Sequence, residues 1–471
     1  MNDPLAKPRE ACGVVGAWGP ATPVVRTMLI ALQHRGQQSA GIAVCRSSGI
    51  DCRTGSGRVT DAFPDPDARE LRGGAGAIGH VRYATSGGEG PDDELAQPIV
   101  MDAGANGTLA LAHNGTLMNT DGARAELGIS TGATDTAVLG RLLTAVMEND
   151  GMNLSQALHE VLPQVTGAYS LVLTDGRRMY GVRDPQAFRP LCLGQLEDTW
   201  LLASESAAIT AVGGTFVREL EPGEVLEADA DGIHSSRLDV PGARRASCVF
   251  EHVYFARADS RIGGRSVYEA RYAAGRALAA YAPPPPSSDV VVAVPDTARV
   301  AADGYAWRAG LPAVQGLLRH EGVGRSFITG DPAGREAAVR QKLSAVPAAV
   351  SGREVVLVDD SLVRGTTMTA VVAMLRTAGA RAVHLRIASP PHRWPCFYGI
   401  DTGRGDALLG AQVPLDRLAG HLGCDSAEFL PLESLLDAVG GDPDTYCTAC
   451  LDGRFPTAVD LRDGAFLQQQ R

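Results

Sequence analysis

No apolar run in this chain of 471 residues approaches the roughly 20 residues that a bilayer-spanning helix needs, which excludes such a span. The first residues, M-N-D-P-L-A-K-P-R-E-A, contain no apolar core, which excludes a secretory signal. Positive charge is in deficit: 43 Lys and Arg stand against 54 Asp and Glu, for a formal net charge of -11 and a pI near 5.4. That balance argues against nucleic acid or an anionic membrane as a general partner. An even set of regularly spaced cysteines is missing too, since the 9 present are odd in number and unevenly placed. The expected setting is therefore the cytoplasm, where cysteines serve as metal ligands, nucleophiles or buried apolar residues before they form disulfides.

What is present is a globular composition, 45% apolar and 21% charged, on a chain long enough for two or three domains. Residues 355–367 read V-V-L-V-D-D-S-L-V-R-G-T-T. Val355 to Val358 lie between Arg353-Glu354 and Asp359-Asp360, which is the pattern of a fully buried parallel strand. The two acids then emerge at the strand's carboxyl end, where open α/β sheets bind ligands. Ser361, Arg364, Gly365, Thr366 and Thr367 lead into a helical pattern over 368–377 and offer N–H groups, hydroxyls and a cation to a phosphate monoester. Paired acids beside a phosphate cradle point to a sugar phosphate, with the acids on ribose hydroxyls or Mg2+. The competing interpretation is a buried strand ending in a solvated acidic turn.

Earlier in the chain, Ala11-Cys12-Gly13-Val14-Val15-Gly16 enters an apolar strand after a short polar leader. This is the arrangement of an N-terminal-nucleophile hydrolase, in which leader removal frees an α-amine to act as base for its own side chain. A buried structural thiol is the plainer alternative for Cys12 alone. Helical spacing over 24–32 precedes Gln33-His34-Arg35-Gly36. Gly79-His80-Val81-Arg82-Tyr83-Ala84-Thr85 alternates like a strand, a short strand over 109–112 leads into His113-Asn114-Gly115, and Ala133-Thr134-Asp135-Thr136 opens an amphipathic helix over 137–147. Further strands are expected over 169–173, 179–182 and 200–203. Strands outnumber helices, so this half reads as a layered α+β domain closing at a linker with Pro241 and Gly242.

Together these blocks resemble the glutamine phosphoribosylpyrophosphate amidotransferase family, in the family's order, from about Cys12 to about Pro456. The resemblance implies a leader over 1–11 that is removed, a glutamine amidotransferase domain of the N-terminal-nucleophile (αββα) class over 12–245, and a type I phosphoribosyltransferase domain of the α/β class over 246–471. It also implies Cys12 as the thiol that attacks the glutamine amide, with Asn114 and Gly115 as oxyanion donors. Arg82 would hold the substrate α-carboxylate and Asp135 its α-ammonium, with Thr85 and His113 lining the pocket.

In the second half, helical spacing over 267–281 is followed by Ala282 and four prolines, 283–286, which cannot continue a helix. An apolar run over 289–294 turns through Pro295-Asp296-Thr297-Ala298 into a helical pattern over 299–308. Two such strand–turn–helix units make a doubly wound domain. The resemblance places Mg2+ on Thr297, Asp359 and Asp360, and the diphosphate of phosphoribosyl pyrophosphate on Arg325, Arg340 and Lys342. The chain departs from the family at Arg319-His320-Glu321-Gly322 and Thr329-Gly330, where Lys-Asn-x-Tyr and Gln-Pro are usual. An Arg keeps the charge of a Lys but not its geometry.

Cys447-Thr448-Ala449-Cys450 is a C-x-x-C step that by itself fits zinc, a redox dithiol or an iron–sulfur centre. With Ser247-Cys248 and Pro395-Cys396 it resembles the four ligand positions of the family's iron–sulfur subclass, which implies a [4Fe–4S] cluster on Cys248, Cys396, Cys447 and Cys450, with zinc as the alternative. Cys45, Cys52, Cys192 and Cys424 are left as packing residues. The implied activity is glutamine-dependent amination of phosphoribosyl pyrophosphate to 5-phosphoribosylamine, the start of purine synthesis, by a homo-oligomer, a tetramer in the family. Two alternatives stay open at this stage: a paralogue that aminates another phosphosugar, and a non-catalytic phosphoribosyl-pyrophosphate sensor.

Overall fold

The structure is a computed structural model that describes residues 12–66, 72–83, 95–130, 132–320, 339–400, 402 and 408–459. Its first half is two stacked antiparallel sheets. The strand Gly13–Trp18 is buried along its whole length because it lies mid-sheet, between Gly76–Arg82 on one edge and Thr199–Ala203 on the other. A strand with neighbours on both edges and a layer over each face has no wet side, so its sequence is a continuous apolar run without alternation. Seven strands form this sheet and six form the second, where Thr108–Leu117 pairs with Gly167–Thr174 and, at its start, with Ile99–Asp102.

Between the sheets Val14, Trp18 and Ile78 meet Ala110, Ala112, Val172 and Met179. The helix Val24–Ala31 covers the outer face of the first sheet, and the helices Asp135–Asn149 and Leu154–Val161 cover the second. The layers are therefore helix, sheet, sheet, helix, as expected. The helix Asp135–Asn149 begins where it does because the Thr134 side chain accepts the Ala137 N–H.

The second half is a five-stranded sheet, parallel at every pairing, in the spatial order Ala313–Val314, Val290–Ala293, Glu354–Asp359, Ala382–Ile387, Ser426–Phe429. Helices cover both faces: Thr366–Thr377 and Leu415–Leu422 on one, Val267–Tyr281, Arg299–Ala309 and Leu432–Val439 on the other. In chain order these strands run second, first, third, fourth, fifth. The order reverses between Val290–Ala293 and Glu354–Asp359, and a crevice at such a point outside the carboxyl ends is where doubly wound sheets take ligands. Val290–Ala293 leads there into Thr297, and Glu354–Asp359 ends there at Asp359.

The helix Val267–Tyr281 matches the expected spacing residue for residue. Two strands run further than their apolar cores. Thr108–Leu117 continues straight through His113-Asn114-Gly115, and Glu354–Asp359 takes Asp359 into the sheet. Asp359 and Asp360 are 3% and 2% exposed, which removes the solvated-turn interpretation. Among the described residues no helix is long and apolar enough to cross a membrane.

Candidate active sites

Cys12 stands one residue before the pair Gly13↔Val81, beside the end of Gly76–Arg82. Its Sγ lies 3.5 Å from the Tyr83 N–H and 3.6 Å from the Tyr83 carbonyl oxygen. Burial pushes the thiol pKa up, the Tyr83 backbone and the Arg82 charge pull it down, and Asp135 adds to the rise. The thiol thus sits within electrostatic reach of two cations, Arg82 and Arg35, and one anion, Asp135, and charges of both signs are what an α-amino acid needs. Asp135 is fixed by donors: its Oδ2 accepts the Leu117 N–H at 3.0 Å and its Oδ1 the Thr136 N–H at 2.8 Å.

Asn114, on the facing sheet, is fully buried, and neither end of its side-chain amide has a partner. A buried amide costs free energy until something pairs with it, so an unpaired one in a strand interior marks a place for a polar ligand. Gly115 follows with φ of 151°, and a Cβ there would come 1.9 Å from the Ala168 carbonyl oxygen, so only glycine fits. The two sheets are joined beside these residues by His80, whose Nε2 lies 3.1 Å from the His113 carbonyl oxygen. His113 itself is buried, with partners in Gln97, Thr136 and Ala168. Thr85 lies outside the described residues.

At the other site, Asp360 accepts hydrogen bonds from the Thr297 hydroxyl and, at 2.7 Å, from the Ser361 hydroxyl, while its own N–H reaches Asp359 Oδ1 at 2.9 Å. Gly365 caps the following helix Thr366–Thr377 with φ of 76°, and a Cβ would come 2.5 Å from Leu409. Arg364 and Thr367 are half-buried beside it. Arg340 is exposed and Lys342 half-buried on the segment leading into Leu343–Ala345, which pairs with Leu317–Arg319. Arg325 lies outside the described residues. Behind Asp360 a cavity is lined by His252, Arg271, Thr297 and apolar side chains of the helices Val267–Tyr281 and Leu432–Val439.

A family model described as a glutamine amidotransferase domain matches residues 89–211. An amidophosphoribosyltransferase of Mycobacterium tuberculosis is 41% identical over 469 residues, covering 96% of this chain and 87% of that one. The Bacillus subtilis glutamine phosphoribosylpyrophosphate amidotransferase, solved with ADP and GMP, superposes with a TM-score of 0.88 at 39% identity, covering 96% of this chain and 98% of that one. The chain belongs to the amidophosphoribosyltransferase family. A further solved structure, described as the allosteric regulatory enzyme of purine biosynthesis, gives a TM-score of 0.89 at 39% identity over 98% of this chain.

In this amidophosphoribosyltransferase the two halves meet at buried charges that the sequence did not single out. Arg35 donates to the Cys12 carbonyl oxygen at 3.1 Å, to Glu205 at 2.6 Å and, with two nitrogens, to Glu251 at 2.9 and 2.7 Å. Glu251 also receives Arg189 at 3.3 Å, and Arg189 donates twice to the Tyr398 carbonyl oxygen, at 3.1 and 2.7 Å. Glu205 further accepts the Arg257 N–H and the Ser260 hydroxyl. Burial works against ionisation of both glutamates, yet their partners hold each below the usual carboxylate range: the His34 ring and Arg35 for Glu205, Arg35 and Arg189 for Glu251. Arg35 stood inside a quoted motif, but only the fold reveals that Glu251 faces it.

The four cysteines singled out for a cluster gather at this junction. Cys248 and Cys447 are paired across the two parallel strands Ser247–Cys248 and Tyr446–Cys447. Burial pushes up the thiol pKa of all four, Cys248 to about 12; Cys248 and Cys396 add to the rise at Cys447, and Cys396, Cys248 and Cys447 to that at Cys450. All four are free thiols. The Tyr398 N–H lies 3.3 Å from Cys396 Sγ, a donor that favours thiolate. Among the described residues no three His, Cys, Asp or Glu are gathered tightly enough to hold a single metal ion.

Proposed function

We propose that this enzyme makes 5-phosphoribosylamine from glutamine and phosphoribosyl pyrophosphate, the first step of purine synthesis, by joining the two sites described above. The observation that carries it is membership of the amidophosphoribosyltransferase family over 96% of a chain that keeps both a buried, unpaired Asn114 amide on the second sheet and a buried acid pair at the sheet reversal. The paralogue and sensor alternatives lack an observation of their own.

At the first site Cys12 Sγ attacks the glutamine amide carbon, and the α-amine freed by removal of 1–11 takes the thiol proton and returns it to the departing ammonia. Asn114 and Gly115 donate to the oxyanion, while Arg82 and Asp135 hold the substrate's carboxylate and ammonium. Water then releases glutamate. Ammonia passes internally, with the cavity behind Asp360 at the receiving end, and attacks C1 of phosphoribosyl pyrophosphate as the C1–O bond to pyrophosphate breaks. Asp359 and Asp360 bind the ribose hydroxyls, Ser361 to Thr367 the 5-phosphate, and Arg325, Arg340 and Lys342 the diphosphate. Thr297, Asp359 and Asp360 form an all-oxygen donor set that would hold Mg2+, and the ion would supply charge neutralisation for the pyrophosphate leaving group. Cys248, Cys396, Cys447 and Cys450 would hold a [4Fe–4S] cluster with a structural role at the junction of the halves. The assembly is a homotetramer working in the cytoplasm.

Product formation measured with glutamine or ammonium, with and without Mg2+ and phosphoribosyl pyrophosphate, tests this directly. Activity with both nitrogen sources, dependent on Mg2+, is expected, and activity confined to a different phosphosugar overturns it. Mass spectrometry should find Cys12 first in the mature chain, iron analysis about four irons per chain, and light scattering four subunits.

A further inference from the structure

The strand that carries Asn114 and Gly115 loses its outer partner just before it reaches them. Its pairing with Ile99–Asp102 ends at Ile99↔Leu111. Continued two residues, that register would set Gln97 opposite His113, but Pro98 has no N–H to extend the ladder. The Gln97 side chain stands in for the missing strand: its Oε1 accepts the His113 N–H at 2.7 Å. The other end of the same amide donates to Thr136 Oγ1 at 3.1 Å.

Thr136 Oγ1 in turn lies 3.1 Å from His113 Nδ1, with Asp135 Oδ1 a longer alternative at 3.4 Å. On the far side of the ring, His113 Nε2 is 3.3 Å from the Ala168 carbonyl oxygen. A carbonyl only accepts, so Nε2 carries the hydrogen and Nδ1 is left to accept from the Thr136 hydroxyl. Hydrogen bonds therefore run from Gln97 to Thr136 to His113, and from the His113 N–H back to Gln97. The circuit closes on one residue, through its backbone and its ring, and His80 holds its carbonyl. The His113–Ala168 bond also passes over Gly115, where a Cβ would come 2.9 Å from His113 Nε2.

Every polar atom of His113 thus has a protein partner, which leaves none for glutamine. We infer that His113 is scaffold, not pocket lining, and that Gln97 and Thr136 are positioning residues that set the oxyanion strand through it. The inference rests on the oxyanion role proposed for Asn114 and Gly115. Its energetic logic is that oxyanion donors act only when aimed where charge develops, so a small rotation of this strand lowers kcat without weakening substrate binding.

Gln97→Leu and Thr136→Val should each lower kcat for glutamine hydrolysis by about 10-fold to 100-fold, the scale of a misplacement near 1 Å, with KM for glutamine within about twofold. Thr136→Ser, which keeps the hydroxyl, should restore kcat. Ammonia-dependent synthesis in the same proteins should be unchanged, which reports that the chain is folded. If Gln97→Leu loses that activity as well, the Thr136→Val and Thr136→Ser pair carries the test. Adding Gln97→Leu to Asn114→Ala should cost nothing further, because both act on one interaction. A raised KM at constant kcat overturns the proposal in favour of a route through Asp135, and equal losses in both backgrounds overturn it outright. Full kcat in Asn114→Ala alone would remove the oxyanion assignment, and the proposal with it.

Discussion

The glutamine end and the phosphoribosyl end of this molecule hold their substrates in opposite ways. At the glutamine end the working groups lie inside two stacked sheets, and buried polar side chains fix each other: Gln97 fixes His113, the Leu117 and Thr136 N–H groups fix Asp135, and Arg35 fixes the Cys12 carbonyl. At the phosphoribosyl end the acids and Ser361 are sunk in the fold. The cations proposed for the diphosphate lie on an edge, Arg340 exposed and Lys342 half-buried. The difference follows the ligands. A small zwitterion with a neutral amide is recognised by donors whose aim matters, whereas a polyanion is held by charges whose reach matters. Preorganisation is therefore built deep at one end and electrostatic capture is built shallow at the other.

The largest effect that tests this contrast is at the nucleophile. Cys12→Ala should reduce glutamine-dependent synthesis by at least about a thousandfold while ammonia-dependent synthesis stays near wild type, since no other thiol can replace it in forming the covalent intermediate. Full activity with glutamine as sole nitrogen source would break the division into two ends. Next comes Asp360→Asn. Because Asp360 accepts from both the Thr297 and Ser361 hydroxyls, the substitution should lower kcat with either nitrogen source by about a hundredfold, of the order expected for a charge-stabilising contact. A loss seen with glutamine alone would show that the acids serve the wrong end.

Smaller again is Lys342→Ala, which removes one reaching cation. KM for phosphoribosyl pyrophosphate should rise about tenfold, the low end for a charge-assisted contact of about 1.5 to 3 kcal/mol, with KM for ammonia unchanged. The neighbouring departure from the family has a visible structural job. His320 spans the base of the same edge, its Nδ1 2.9 Å from the Gln341 carbonyl oxygen and its Nε2 3.1 Å from Ser344 Oγ. An unusual residue that looked like a question about specificity is a tie between two strands.

Local pattern made some of this legible. The run over 355–358 between charges announced a buried strand and its acids, and 267–281 announced its helix, because burial on a fixed period is written residue by residue. Partners distant in the chain left no such mark. Arg35 and Glu251 face each other across 216 residues, and Arg189 meets Tyr398 across 209. A buried ion pair looks in sequence like two ordinary surface charges. Gln97 is a third kind of omission: beside a proline it reads as turn, and only the register of Ile99–Asp102 against Thr108–Leu117 shows that it completes a strand. His113 was legible as a site residue, but the hydrogen-bond circuit behind the scaffold role inferred for it was not, since no spacing rule tells a histidine that touches substrate from one that holds the residue that does.

The smallest expected effect concerns how deeply the glutamine end is buried. Burial pushes His80 down to about 3, the Arg82 charge acts in the same direction, and its bond to the His113 carbonyl opposes. Between pH 6.5 and about 3 the unfolded chain therefore binds a proton at His80 that the folded chain refuses. Stability falls as pH drops through that window and is flat above it, at a limiting slope of about 1.4 kcal/mol per pH unit for one such group. His252 and His392, pushed down to about 4 by burial, act in the same direction. Asp184, raised to about 6 by burial, acts in the other. His80→Gln keeps a donor for the His113 carbonyl and cannot take up a proton. Denaturant midpoints measured between pH 6.5 and 4.5 should decline less steeply in the variant than in the wild type, above the range where Glu205 and Glu251 begin to protonate. Parallel slopes would mean that His80 takes up its proton within the fold, and that the joint between the two sheets beside Asn114 is wetter than its burial implies.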